Sequence, residues 1–200
     1  MKKEVIIEEF YQRLIYGTII NKAEFDNIID ICIHNAYLSI CRALKEVKKY
    51  KKSYDKILKK RLKTLLTNDN INFDEWHMEV CNEIVDSYKK ANYKNFNYGI
   101  AQKIVNLSLK YFFCIMLTCS FKNKSDVKFT NFDKCHATLD KRVMTEIRKF
   151  SSEIKYSKIT QIDTYQNYIE CQEAIRKYLK LNEDTTSPFF WEFKIWNKNK

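Results

Sequence analysis

Glycine and proline are nearly absent from this chain, which has two glycines, Gly17 and Gly99, and one proline, Pro188, among 200 residues. An all-β sandwich or a doubly wound α/β fold of this length reverses direction many times, usually on glycine, proline, asparagine or aspartate. The scarcity of the first two residue types therefore favours an all-α fold. It also excludes a Walker loop and a dinucleotide-binding fingerprint, because both need repeated glycines to bring the backbone close to phosphate.

The chain also lacks a recognisable secretory leader, a long uninterrupted apolar run and paired cysteines. The most apolar stretch, residues 104–119, contains Asn106 and Lys110, so it predicts a buried helix and not a membrane span. The seven cysteines have no CxxC pairs or framework spacing, which predicts free thiols in a reducing cytoplasm, with no metal and no cofactor. A zinc group is the weaker alternative, because its spacing matches no common site. That group would comprise Cys114, Cys119, Cys135 and His136.

Apolar residues do recur at helical spacing along the chain, and they predict a single compact domain of about seven helices over residues 1–200. The pattern predicts a first helix over about 4–16 and an unbroken helix over about 24–50. Residues 100–118 are apolar on nearly all sides, which predicts a central buried helix, whereas residues 120–136 show no period. Further helices are predicted over 53–66, after Asn72, and from about Leu139, Tyr165 and Pro188.

Positive charge is the other abundant feature, with 36 Lys and Arg against 25 Asp and Glu and a net charge of +11. The charge is concentrated between Lys45 and Lys63, where ten basic residues accompany two acidic ones. Such a segment favours contact with a polyanion, and a plain solvated helix face is the alternative. Our prediction is that the DNA backbone is contacted by Lys48, Lys52, Lys56 and Lys59.

One segment resembles a known catalytic arrangement. Phe-Asn-Tyr-Gly-Ile-Ala-Gln-Lys at 96–103, followed by Leu-Asp-Lys-Arg-Val at 139–143, is similar to helix-hairpin-helix DNA glycosylases of the 8-oxoguanine type over about residues 96–145. The resemblance implies that Gly99 is the hairpin glycine, Lys103 the nucleophile and Asp140 its electrostatic partner. Such a pair suits the cleavage of an N-glycosidic bond, because a carboxylate stabilises positive charge on the sugar while an amine attacks its carbon.

The same resemblance implies further site residues. Gly99 and Arg142 would join the lysines on the DNA backbone. An extruded base would be held between aromatic and polar side chains, as base-flipping enzymes require. We predict that this pocket is formed by Phe96, Tyr98, Gln102, His136, Phe190 and Trp191. The structural alternative is that Lys103 extends to solvent and Asp140 only caps a helix.

A second, looser resemblance joins three motifs: Ala-Gln-Lys at 101–103, Asp-Lys-Arg at 140–142 and Trp-Glu at 191–192. Uncharacterised bacterial proteins share this combination, which implies one continuous domain and no particular activity. We therefore predict a DNA glycosylase, with or without lyase activity, that excises a damaged or modified base in repair or anti-phage defence. The alternatives are a non-catalytic basic helical protein that binds nucleic acid or an acidic protein, such as a phage or host-defence inhibitor, and a purely structural interaction module.

Overall fold

The computed structural model describes residues 8, 12, 15–41, 47–93, 96–184 and 186–197, and the side chains of Lys22 and residues 47–53 lie outside that description. The described residues form helices and connecting segments without a β-strand, so the predicted all-α class is confirmed. Their α-helices are α1 (Phe25–Leu38), α2 (Val47–Thr67), α3 (Phe73–Lys90), α4 (Tyr98–Thr118), α5 (Lys141–Phe150), α6 (Tyr165–Leu181) and α7 (Pro188–Asn197). Short 3-10 helices lie at Ile20–Lys22, Lys124–Asp126, Phe129–Lys134 and Ile159–Gln161.

Helix α4 is the central helix that its apolar sequence predicts. It begins after Asn97, whose side chain accepts a hydrogen bond from the Ile100 N–H, and it packs against α1, α3 and α6. Its length and composition would also suit a membrane span, but 67% of its most apolar window is buried inside the described fold. That burial is typical of a core helix, because its apolar surface is covered by other helices.

The predicted continuous helix over residues 24–50 is wrong, because α1 ends at Leu38. There the N–H groups of Ser39, Ile40 and Cys41 turn back to carbonyl groups of the last helical turn. Ile40 is nevertheless only 1% exposed. The helical spacing of apolar residues therefore continues through the turn, and the sequence pattern alone cannot reveal where the helix ends. Residues 42–46 and most of the predicted first helix, 4–16, lie outside the described residues.

Side-chain caps fix where several helices begin. The Asn72 side chain accepts a hydrogen bond from the Glu75 N–H at the start of α3, as predicted, and Asp140 accepts one from the Val143 N–H at the start of α5. Each cap satisfies a backbone donor that the first helical turn leaves free. Between α4 and α5, residues 120–136 form only the two short 3-10 helices, in agreement with their lack of a period.

Gly99 lies where two parts of the backbone approach each other. Its N–H donates to the Ile162 carbonyl over 2.7 Å, and a Cβ atom added to it would lie 1.9 Å from the Ile159 carbonyl oxygen. Any side chain there must push the segment around Ile159 away from α4. Only glycine fits this contact between the start of α4 and the segment before α6.

We therefore expect Gly99→Ala to lower the free energy of unfolding by about 3 kcal/mol, because overpacking against backbone cannot be relieved by a rotamer change. Urea titration measures the change. Gly17→Ala is the matched control, because an added Cβ there meets nothing within 4 Å, although its φ of 75° imposes strain of about 1 kcal/mol. Equal destabilisation by the two substitutions would contradict the close contact.

Candidate functional site

The centre of the fold contains a buried segment, Cys135–Leu139, that has no regular secondary structure. Side chains from surrounding helices bind its peptide groups. Gln172 on α6 accepts from the Ala137 N–H over 3.1 Å and donates to its carbonyl over 2.9 Å. Gln102 on α4 does the same for Leu139, over 3.2 and 2.9 Å. These glutamines replace the hydrogen bonds that a neighbouring strand would supply.

A buried ion pair supports the same segment from the other side. Glu192 on α7 is 1% exposed, accepts a hydrogen bond from the Thr138 N–H over 2.8 Å and pairs with Lys110 on α4. Burial raises the pKa of the Glu192 carboxyl, while Lys110 opposes that shift. The carboxylate is thus stabilised by one ammonium group and one peptide N–H.

Two buried histidines extend this polar layer. His77 on α3 contacts the Tyr98 hydroxyl through Nδ1 over 3.2 Å and the Asn106 Oδ1 through Nε2 over 3.0 Å. The Asn106 Nδ2 in turn donates to the Tyr168 hydroxyl over 2.9 Å, and that hydroxyl lies 2.9 Å from Nδ1 of His136. The chain of contacts therefore runs across α3, α4 and α6 to the central segment.

The network reaches the surface at Asp74. The Nε2 atom of His136 lies 2.6 Å from Asp74 Oδ1, and Arg176 on α6 donates to both carboxylate oxygens over 2.7 and 2.9 Å. The Asp74 side chain is 36% exposed, whereas that of His136 is fully buried. The hydrogen bond with His136, followed by that with Arg176, lowers the pKa of the Asp74 carboxyl.

One assignment of protons satisfies the contacts from Tyr98 to Asp74, with Arg176 Nη2, which also lies 2.9 Å from His136 Nε2, donating to Asp74. If both imidazoles are neutral and carry their proton on Nε2, the Tyr98 hydroxyl donates to His77, which donates to Asn106. Asn106 then donates to Tyr168, whose hydroxyl donates to His136, and His136 donates to the Asp74 carboxylate. Burial favours these neutral forms, since it is the main cause that lowers the pKa of His77 and of His136. Protonating either ring would set a second N–H against a hydroxyl that already donates.

The structure overturns most of the predicted base pocket. Five of its six members are enclosed by the core, with exposures between 0% and 3%, so an extruded base has no access to them. Phe96 stacks on Tyr88 with ring centroids 3.8 Å apart, while His136 and Gln102 are hydrogen-bonded as described. The five are Phe96, Tyr98, Gln102, His136 and Trp191. Phe190 is partly exposed and lines a separate surface groove with Arg176 and Pro188.

The two segments that carry the predicted catalytic residues are in contact. Gln102 binds Leu139 directly, and Lys103 and Asp140 are the next residue along each chain segment. Asp140 caps α5 through the Val143 N–H over 2.9 Å. Lys103 is partly buried and forms no ion pair with any carboxylate among the described residues, Asp140 included. No hydrogen bond or ion pair joins the two side chains among the described residues, and their roles stay predictions.

The predicted backbone contacts have different outcomes. Gly99 is buried and its N–H is bonded to Ile162, so the prediction that it binds a phosphate is wrong. Lys59 forms a surface ion pair with Asp30 on α1 over 2.7 Å. Arg142 lies on the surface against Trp196. Lys56 is exposed on α2. The side chains of Lys48 and Lys52 lie outside the described residues.

The seven cysteines are free thiols. No cluster of three or more potential metal ligands occurs among the described residues, and both ring nitrogens of His136 have protein partners. Burial raises the pKa of the Cys171 thiol to about 12, so this group stays protonated and inert near neutrality.

Sequence reasoning missed most of this polar layer, although one signal was present. Gln102, Asn106 and Lys110 stand four residues apart on the most apolar helix of the chain, and such spacing puts polar groups on one face. That stripe predicts a buried polar partner. The sequence could not identify the side-chain partners His77, Tyr168 and Glu192, because they are distant from α4 along the chain.

Comparisons with known proteins give no match: no family model fits the chain, and no curated protein or solved structure resembles it significantly.

The two buried histidines predict a pH-dependent stability. Because their folded pKa values lie below the unfolded value of about 6.5, the unfolded state binds more protons as the pH falls below 6.5. Stability is then expected to fall with decreasing pH, by up to about 1.4 kcal/mol per pH unit for each histidine. Urea unfolding between pH 7.5 and 5 measures this slope.

His77→Gln should reduce the slope, because glutamine has an amide near the position of Nε2 and does not titrate. The matched control is His34→Gln, since His34 is exposed on α1 and should leave the slope unchanged. A stability that is flat from pH 7.5 to 5 in the unmodified protein would show that the imidazoles are not held neutral.

Proposed function

We propose that this protein binds the DNA backbone through an outward-facing stripe of lysines on α2. The helix carries nine basic residues and one acidic residue, Asp55. A helix of this charge attracts a polyanion, because bound phosphates are neutralised while their condensed counterions are released. Positive charge is concentrated to this degree nowhere else along the chain.

The observation that supports this proposal is the division of α2 into paired and unpaired cations. Towards its C-terminal end, three basic residues are engaged by acidic residues of α1 and α3: Lys59 by Asp30, Lys63 by Asp26, and Arg61 by Glu79 and Glu83. Lys56 and Lys60 are exposed and have no ion pair among the described residues. In the sequence, Lys52 and Lys48 continue this four-residue spacing towards the N-terminal end of α2.

Unpaired lysines at this spacing lie on one helix face and repel one another, which destabilises the helix in isolation. The acidic residues of α1 and α3 relieve the repulsion only for Lys59, Arg61 and Lys63. A row of phosphates outside the fold would relieve it for the others. This difference favours DNA contact over a merely solvated face.

We expect replacement of Lys56 and Lys60 by alanine to weaken duplex binding and to reduce the slope of log K against log salt by about 2, or about one per lost phosphate contact. Fluorescence anisotropy of a labelled duplex between 50 and 200 mM salt measures both quantities. Stability should change little, because both side chains are exposed.

The matched control replaces Lys177 and Lys180 on α6, which are also exposed and free of ion pairs among the described residues. This variant removes the same net charge from another face. If both double variants changed the slope equally, binding would depend on total charge and the α2 interface would be wrong. If the unmodified protein bound no duplex at low salt, the whole proposal would be wrong.

DNA glycosylase activity is a second candidate, favoured by the hydrogen bond from the Gln102 side chain to the Leu139 carbonyl, which joins the two segments that carry Lys103 and Asp140. Lys103 has no ion pair among the described residues, so its amine is available to attack the sugar C1′ as the C1′–N bond to the base breaks. Asp140 would stabilise the positive charge that develops on the sugar. The buried residues of the former base pocket take no part in this candidate.

Borohydride trapping tests this candidate without knowledge of the damaged base. On a duplex with an abasic site, the Lys103 amine would condense with the C1′ aldehyde, releasing water and forming an imine that borohydride reduces to a stable amine. We expect a covalent complex that Lys103→Gln abolishes, since glutamine keeps much of the side-chain length without the amine.

Asp140→Asn is the companion variant, because asparagine caps a helix as well as aspartate does and removes only the charge. It should slow base release about a hundredfold while duplex binding persists. Trapping that survives in Lys103→Gln would exclude Lys103 as the nucleophile, and unchanged release in Asp140→Asn would exclude the carboxylate.

A further inference from the structure

The C-terminal helix α7 is rich in aromatic residues, but the structure distinguishes one of them. Phe189 and Trp191 are almost completely buried, and Phe190 and Phe193 are partly covered by Phe113. Trp196 is 45% exposed. The other two tryptophans of the chain, Trp76 and Trp191, are 5% and 3% exposed, so Trp196 alone of the three presents its ring to solvent.

The Trp196 ring is held by Arg142 at the start of α5. The guanidinium carbon of Arg142 lies 4.3 Å from the ring centroid, and its Nη1 donates to the Trp196 carbonyl over 3.4 Å. A cation over the ring face orients an aromatic side chain by attraction to its quadrupole. The exposed ring is thus preorganised, which reduces the entropy lost when a ligand stacks on it.

The surroundings of the ring are positively charged. Arg142 has no carboxylate partner among the described residues, and the adjacent Lys141 is exposed and likewise unpaired. The acidic residues within α5 and α7 are Glu146 and Glu192, and each is engaged by a lysine, Lys149 and Lys110 respectively. Asp140, which precedes Lys141, is engaged as the cap of α5 by the Val143 N–H. A phosphate beside Trp196 would therefore meet two available cations.

We infer that Trp196 and Arg142 form a stacking site for an unpaired nucleobase, with Lys141 beside the phosphate of the same nucleotide. This inference rests on the proposed binding of nucleic acid and adds the class of ligand. The faces of a base inside a duplex are covered by its neighbours, so an exposed indole can stack only on a single-stranded or extruded base.

The test uses a twelve-residue thymidine oligonucleotide and a duplex of equal length. Because Trp76 and Trp191 are buried, stacking on Trp196 should quench the exposed part of the tryptophan fluorescence with the single strand. Trp196→Ala should weaken single-strand binding at least about fivefold, as expected for the loss of one base–aromatic stack, and leave duplex binding through α2 unchanged. Anisotropy of the labelled oligonucleotides gives both affinities.

Trp196→Phe should restore part of the affinity, because phenylalanine retains a ring. Leu181→Ala, at a side chain that is 74% exposed on α6, is the matched control for losing an exposed apolar group. Unchanged single-strand affinity in Trp196→Ala, with duplex binding intact, would overturn this inference and leave the proposed function standing. Absence of binding to both oligonucleotides would overturn the proposed function and this inference together.

Discussion

Burial of a backbone segment without regular secondary structure is the constraint on which this fold depends. Each peptide group of Cys135–Leu139 that leaves water must find a partner, and an unsatisfied buried group costs about 1–3 kcal/mol. Three side chains, Gln102, Gln172 and Glu192, accept hydrogen bonds from the N–H groups of Leu139, Ala137 and Thr138 respectively. Helices α4, α6 and α7 must therefore approach the segment in a fixed register.

This requirement explains why the most apolar helix of the chain carries amides. On α4, Asn106 donates to the Ala137 carbonyl and the Tyr168 hydroxyl and accepts from His77. It thereby connects the central segment with α3 and α6. Apolar side chains can slide past each other at little cost, whereas a directional amide cannot rotate without losing several hydrogen bonds. The polar layer accordingly selects one arrangement of helices around α4.

The sequence predicted the features that local physics determines. Low glycine and proline content and the 3.6-residue period predicted the helical class and the position of α4, and Asn72 predicted the start of α3. The end of α1 at Leu38 was missed, because Ile40 is buried in the following turn and keeps the apolar rhythm. The base pocket was misplaced for a related reason. Phe96, Tyr98 and Gln102 lie close together in the sequence near a plausible nucleophile, but whether they face solvent or core depends on α3 and α6, which are distant in the chain.

The residues of the motifs behind the two resemblances have different roles in the fold. Gln102 and Glu192 hold the central segment, Asp140 caps α5, and Gly99 permits the close contact with Ile159. A structural requirement is thus sufficient to explain each of these four. Lys103 and Lys141 belong to the same motifs, yet neither side chain forms a hydrogen bond or ion pair among the described residues.

Each of these lysines is adjacent in sequence to a residue that holds the core, so its backbone is fixed in place. Its side chain forms no bond that stabilises the fold, and we therefore expect it to serve a ligand and not folding. Lys103 follows Gln102, and Lys141 follows Asp140 and precedes Arg142. At the start of α5, Arg142 lies over the exposed ring of Trp196, and the central segment leads directly into this helix. Rigid support is what a binding site for a charged ligand needs, because groups already held in place lose little conformational entropy when the ligand arrives.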